Sequence, residues 1–438
     1  MIDRFPYSVA PEGYVPAWQA LRVENLPAHR AALNLVSYAR KSIYKKYTAS
    51  AEVVRHFDGQ RRAFRHLAAQ PAAGRETSLA LVGDIMWLRD GWDDFLDPGV
   101  LNHLNAHDAV LGNLESVISP RFKVPRLLPD YMTYNSHPNL VRAFRRPDGR
   151  STFSALSVAN NHALDRGEQG ARDTLALLDE LGVPHSGIAL DGGRKPYVTF
   201  EVNGIKVGFY AAAWGLNSFV KPNPNVRMNA LPGGIFEPGA KIELPEIRSV
   251  LADMAAEGCD YRVVALHWGY EFEYYADPGM MRVAREVVRL GADLLLGTHP
   301  HVQQPCETLF VNGAEGQLPS ELRGAVADST LTADGLQRKA LVAYSMGNLA
   351  TTMFTFECKV GWVQSLRLSR DAAGRVDWNP GETAFVMNAP RFGGRQRRLL
   401  MLGDYRTQSA RFRRVPRWEE DYFAFLREHL LGREPEQL

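Results

Sequence analysis

The sequence predicts a layered α/β fold, and two patterns carry that prediction. Short apolar runs of strand length recur through the middle of the chain, each ending in Asp, Glu, Asn or His. Between them lie amphipathic helical patterns, EQGARDTLALLDELG and GMMRVAREVVRLG. Strand, loop and helix in this alternation pack helices against sheets. In such folds polar residues gather at the carboxyl ends of the strands, where ligands bind.

In chain order, SLALVGD delivers Asp84 to a strand tip and DAVLGNLE delivers Asn113 and Glu115. FSALSVANNH ends in Asn160, Asn161 and His162. RVVALHWG ends in His267, and ADLLLGTHPH in His299 and His301. LVAYSMGN and VGWVQSLRLS read as further strands. Residues 312–338 lack periodicity and read as an insertion, a flexible loop or flap. The glycines in GD, GN and SMGN are expected to permit tight turns.

Three regions follow. Residues 1–76 form a basic helical extension, in which Val54, Phe57, Phe64 and Leu67 recur at three- and four-residue spacing. It is either an arm for an acidic partner or, the simpler reading, a helix packed on the core with its Arg face in water. Residues 77–390 form the core, and residues 391–438 an Arg-rich extension ending in a helical pattern.

The 438 residues exceed what one small core organises, and 45% hydrophobic with 23% charged residues is ordinary for a globular chain. A net charge of +2 gives no support for nucleic-acid binding. Cys259, Cys306 and Cys358 are odd in number and far apart, which suits a reducing compartment. The start, MIDRFPYSVAPEGYVPAW, lacks a basic stretch followed by an apolar one, so no signal peptide is read. No run approaches the roughly 20 apolar residues of a membrane helix. The expected location is cytoplasmic.

A lone histidine at a strand end is more often structural than catalytic, but five tips carrying acids, amides and imidazoles form a set. One or two divalent ions need several O and N ligands with a bridging carboxylate. Asp84, Glu115, Asn161, His267, His299 and His301 supply them. The mixed set does not choose among Mn, Zn, Fe, Mg and Ca. In an extended segment His299 and His301, two apart, would share a face. Arg89 and Asn160 are candidates for holding substrate, Arg89 through bidentate pairing with a carboxylate or equally as a structural salt bridge. Met86 and Trp87 read as core or pocket wall, Asp165 as loop-shaping, and Glu273 equally as part of the site or as surface.

GDIMW, GNLE, ANNHALDRG, HWGYEFEYYADP, GTHPHVQQPCE and YSMGN, in this order, are similar to the CapA poly-gamma-glutamate (capsule biosynthesis) family, a branch of the metallophosphatase-like (calcineurin-like) superfamily. The resemblance covers about Ser78 to Met353. It implies a metallophosphatase-like β-sandwich flanked by helices. It implies Asp84 and His301 on a first metal, Asn161, His267 and His299 on a second, and Glu115 bridging. It makes His162 the acid near the leaving group, and Glu271, in HWG-x-E, a residue facing substrate. Met86 stands where the superfamily has a ligand His, and GNLE where it has GD, as in CapA-like sequences. The implied activity is hydrolysis or transfer at a carbonyl or phosphoryl centre of poly-gamma-glutamate or a related peptide. Some CapA-like proteins resemble Cα epimerases of ribosomal peptides, which is the alternative. Capsule members typically carry a membrane anchor, and its absence from this sequence favours that cytoplasmic alternative. A scaffold that has lost its chemistry is a third reading, which the near-complete ligand set opposes.

Overall fold

The computed structural model describes residues 49–71, 74–86, 91–124, 133–190, 195–217, 225–326, 332, 335–353, 355–389, 397–412 and 416–432. Most of the N-terminal extension, Trp87 and Arg89 therefore lie outside the described residues.

Two large sheets face each other, with helices on their outer sides. The first sheet runs β16 (Arg398–Met401), β15 (Val376–Ala389), β14 (Val360–Arg370), β1 (Thr77–Met86), β2 (Ala109–Glu115), β3 (Ala155–Ser157), β4 (His185–Ser186). Strand β13 (Asn348–Ala350) joins β1 off this path. The second runs β11 (Gln303–Val311), β12 (Arg338–Met346), β10 (Leu294–Thr298), β9 (Tyr261–His267), β7 (Ile205–Ala213), β6 (Tyr197–Val202). A small ribbon pairs β5 (Ile188–Leu190) with β8 (Val226–Met228).

The central strands β1 to β4 are parallel, as are β7, β9, β10 and β12. Apart from the two-residue β4, each is a largely apolar run buried on both faces, as parallel strands in a layered fold must be. Period-two alternation divides β1: Leu79 and Leu81 enter the core between the sheets, Ala80 and Val82 a second core on the outer side of the first sheet. Helices Pro98–Asn105 and Gly167–Glu180 cover that outer side with Val100, Leu104, Ala171, Leu175 and Leu178. Helices Pro245–Ala256 and Pro278–Arg289 belong to the other cluster through Val250, Leu251, Val283 and Val287.

The parallel strands deliver their carboxyl ends to one region. There Gly83 does more than turn: a Cβ on it would lie 1.8 Å from the Gly347 carbonyl oxygen, which accepts the Asp84 N–H at 2.9 Å. Only a residue without a side chain admits β13 this close to β1. Gly83 and Gly112 lie within strands, so of the three motif glycines Gly347 alone, at φ 70°, makes the expected turn.

The helix Ala51–Ala68 buries Val53, Phe57, Phe64 and Leu67. Its Gln60 accepts the Thr308 N–H at 2.8 Å, covering the edge strand β11. The expectation of an Arg face in water fails for two residues. Arg61 donates to the His429 carbonyl at 2.8 Å, and Arg65 to the carbonyls of Leu431 and Gly432. These are last-turn acceptors of the helix Arg417–Leu431, where cations offset orphan carbonyls and the helix dipole. His56, Arg285 and Tyr344 donate to buried Glu307 at 2.8, 2.9 and 2.5 Å. Burial pushes that carboxyl up, but these three partners outweigh it and hold it below its usual range.

Residues 312–326 are no flap over the strand tips. They leave the far end of β11, and Ala314 and Leu318 pack with Ala63, Leu67 and Phe310. Apolar side chains anchor this stretch to the helix Ala51–Ala68. Beyond it, β16 pairs with β15, so residues 398–401 continue the first sheet.

Candidate metal centre

Both sheets contribute to one buried cluster. The first sends Asp84 from β1 and Asn113 and Glu115 from β2. The second sends His267 from the end of β9, and His299 and His301 from the loop after β10. Asn160, Asn161 and His162 follow β3, which is shorter than the sequence suggested, and stand in a turn rather than on a strand.

His299 and His301 are close, but not for the expected reason. The segment is not extended: φ is 101° at His299 and 59° at His301. Left-handed backbone at a non-glycine residue costs on the order of 1–3 kcal/mol. Neighbouring bonds hold it, with the His299 N–H donating to Asp84 Oδ2 at 3.1 Å and the Pro300 carbonyl accepting the Phe272 N–H at 2.8 Å. Phe272 is itself left-handed, at φ 67°.

Asp84 Oδ1 accepts the Asn113 amide at 2.8 Å, and its Oδ2 lies 3.5 Å from His301 Nδ1. Burial pushes the Asp84 carboxyl up, but His301, His267 and Asn113 together hold it below its ordinary value. Burial pulls the His301 ring down, yet Glu115, Asp84 and Glu271 outweigh it and raise it well above the usual imidazole range. His267 Nε2 lies 2.8 Å from Asn161 Oδ1, 3.0 Å from His299 Nδ1 and 3.4 Å from Glu115 Oε1. Thr298 Oγ1 meets its other nitrogen at 3.0 Å.

Glu115 is the anomaly. Its carboxylate is fully buried, and neither oxygen has a hydrogen-bond partner. A buried charge left so is expensive unless a cation completes it. Asp84, Glu115 and His267 bring ligand atoms within 4.8 Å of one another, as do Glu115, His299 and His301. Glu115 is common to both groups, and the residues present fit divalent cations. Within the cluster Asp84 Oδ2 is nearer His301 Nδ1, at 3.5 Å, than Asp84 Oδ1 is to His267 Nδ1, at 3.8 Å.

Asn160 is wholly buried and donates to the Leu114 carbonyl at 2.8 Å, so it shapes the loop rather than facing a substrate. Glu271 Oε1 lies 3.9 Å from His301 Nε2, at the cluster's border. Glu273, for which surface was one of two readings, is buried.

His162 Nδ1 is 2.6 Å from Asp165 Oδ2, and its ring stacks on Tyr134 with centroids 3.6 Å apart. Asp165, read as loop-shaping, is thus the histidine's partner, and it also accepts the Tyr134 N–H at 2.6 Å. Burial pulls the His162 ring down, but Asp165, then Glu115 and Glu271, outweigh it and raise it. Sequence reading missed Tyr134 and Asn217, which come from separate loops, and Thr298, the last residue of β10. Asn217 Oδ1 accepts the Asn161 amide at 3.2 Å, and Asn217 Nδ2 lies 3.3 Å from His162 Nδ1. Asn348, 3.0 Å from His301 Nδ1, was legible as the last residue of YSMGN.

Two layered sheets joined at an acid, amide and imidazole cluster define an α/β protein with a candidate metal centre. Residues 78–353 match the family described as bacterial capsule synthesis protein PGA_cap, and the chain belongs to that family. It is 31% identical over 157 residues to the PGA biosynthesis protein CapA of Bacillus subtilis (strain 168), covering 35% of this chain and 38% of that protein. It is 28% identical over 256 residues to the capsule biosynthesis protein CapA of Bacillus anthracis, covering 54% and 58%. The chain thus spans less than two thirds of either relative. A solved phosphatase from Mycoplasma pneumoniae aligns with TM-score 0.37 and 11% identity over 80% of this chain and 99% of that one, a distant likeness. Among the described residues, no helix is long and apolar enough to cross a membrane.

Proposed function

We propose that the chain is a metal-dependent enzyme acting on poly-gamma-glutamate or a related peptide, by hydrolysis or transfer at a carbonyl or phosphoryl centre. The observation that carries this reading is Glu115: a buried carboxylate without hydrogen-bond partners, set among Asp84, His267, His299 and His301. These residues with Asn161 would hold one or two divalent ions, which supply Lewis-acid polarisation and an activated water. Asp165 takes His162 Nδ1, so Nε2 is the nitrogen through which the ring would pass a proton to a leaving group. Tyr134 keeps the ring in plane by stacking. Met86, packed with Tyr134, forms the wall where the superfamily's histidine would stand.

The test uses full chain loaded with each of Mn2+, Zn2+, Fe2+, Mg2+ and Ca2+. Poly-gamma-glutamate and short gamma-glutamyl peptides are supplied, and product is followed by mass spectrometry. Metal-dependent cleavage or transfer is the expected result. No product with any metal, from protein that binds metal, overturns the reading.

A further inference from the structure

A second group of ligand-type side chains lies where a helix end and the bend after it meet β15 of the first sheet. His103 occupies the last turn of the helix Pro98–Asn105, His107 follows four residues on, and Glu382 projects from β15. Their candidate ligand atoms lie within 4.8 Å of one another. His107 stands just past the C-cap Ala106, where the chain bends toward β2, and the two ring centroids are 5.3 Å apart. His103 Nδ1 is 3.9 Å from Glu382 Oε1.

An independent observation points to a ligand. His107 is 7% exposed, and its Nε2 is buried with no hydrogen-bond partner. Arg146 stands nearby, but its guanidinium donates to the carbonyls of Asn105, His107 and Asp108. Asp108 and Glu382 set negative charge against it.

The group is separate from the Glu115 cluster. His107 stands just before β2, at the amino end of the parallel strands, whereas Glu115 closes the carboxyl end of the same strand. We propose that His103, His107 and Glu382 form a Zn2+ site of their own, with three protein ligands and a fourth position open to water. Two imidazoles and a carboxylate are a ligand set zinc accepts, with bonds of about 2.0–2.2 Å that put tetrahedral ligand atoms about 3.3–3.6 Å apart. Glu382 is exposed and can rotate the remaining distance. Bound there, the ion ties the end of the helix to β15 across the outer face of the sheet.

The experiment measures zinc retained by the full chain after dialysis against metal-free buffer. His103→Ala/Glu382→Gln, both at solvent-reached positions, should hold one equivalent less than wild type with an unchanged circular dichroism spectrum. Glu115→Gln/His299→Ala should still hold one equivalent, lost when His103→Ala is added. Equal zinc in wild type and the His103→Ala/Glu382→Gln variant overturns the proposal, as does a Glu115→Gln/His299→Ala variant that folds and holds none.

Discussion

Asn348 holds its side-chain oxygen 3.0 Å from His301 Nδ1 while donating its amide to the Cys358 carbonyl at 2.9 Å. The same residue stands in register with Asp84 across the parallel β1 and β13 pair. One asparagine thus sets the height of a histidine from one sheet against an aspartate from the other. Outer partners of this kind orient metal-binding imidazoles and tune their basicity.

Asn348→Ala should therefore weaken divalent-metal affinity by about 10–100-fold. A competition titration against a chelating dye reads this directly. Affinity within twofold of wild type would mean that His301 needs no such support.

Glu115→Gln keeps the shape of the side chain and removes its charge. Wild type should gain about 2.7 kcal/mol of unfolding free energy at a metal concentration one hundredfold above its dissociation constant. The variant should gain little or nothing, by urea melts with and without metal. An equal gain in both proteins would remove Glu115 from the binding set.

His162→Ala should lower turnover by about 10²–10⁴-fold, the range for a lost general acid or base, with metal content unchanged. Asp165→Asn should weaken the same step, because the imidazole loses its charged partner. Reaction in D2O then distinguishes the chemistry: cleavage without exchange at Cα is expected, whereas deuterium at Cα without cleavage marks epimerisation. If His162→Ala instead loses metal, the histidine is a ligand.

His429 yields a prediction about acid. Burial, with the charge of Arg61, pushes this ring down to about 3, while its bond to the Tyr274 carbonyl resists. An unfolded histidine takes its proton near pH 6.5. Between those values the unfolded chain binds more protons, so stability is fully present above about pH 6.5 and falls as pH falls. The loss from this one group should reach about 2 kcal/mol at pH 5. His429→Gln keeps a neutral donor for Tyr274 and should flatten that part of the profile in urea melts at pH 7 and 5. A profile parallel to wild type would refute the assignment.

The strand tips were legible because an apolar run ending in a polar residue is a local signal. Asp84, Glu115, His267, His299 and His301 could each be picked from a few neighbouring residues, and the structure brings them together. What failed needed long-range information. The proximity of His299 and His301 comes from left-handed backbone held by Asp84 and by the bond between Phe272 and Pro300, which no period-two argument contains. Tyr134 and Asn217 reach His162 from loops with no periodicity of their own. Arg61 and Arg65 looked like solvent-facing charge because their acceptors, the last-turn carbonyls of the helix Arg417–Leu431, lie more than 350 residues away along the chain. The insertion read as a flap because its few apolar residues gave no hint of the helix they pack on.

The cluster draws carboxylates from one sheet and imidazoles from the other, and this makes it a rivet as well as a workplace. An ion held between Glu115 and His267 would resist any sliding of the two β layers. Withdrawing it with a chelator should loosen that seam before it unravels either layer. Amide protons along β1 and β9 would then exchange sooner near Asp84 and His267 than at Leu79 and Val263, so the gradient of exchange along two strands would record whether the rivet is in place.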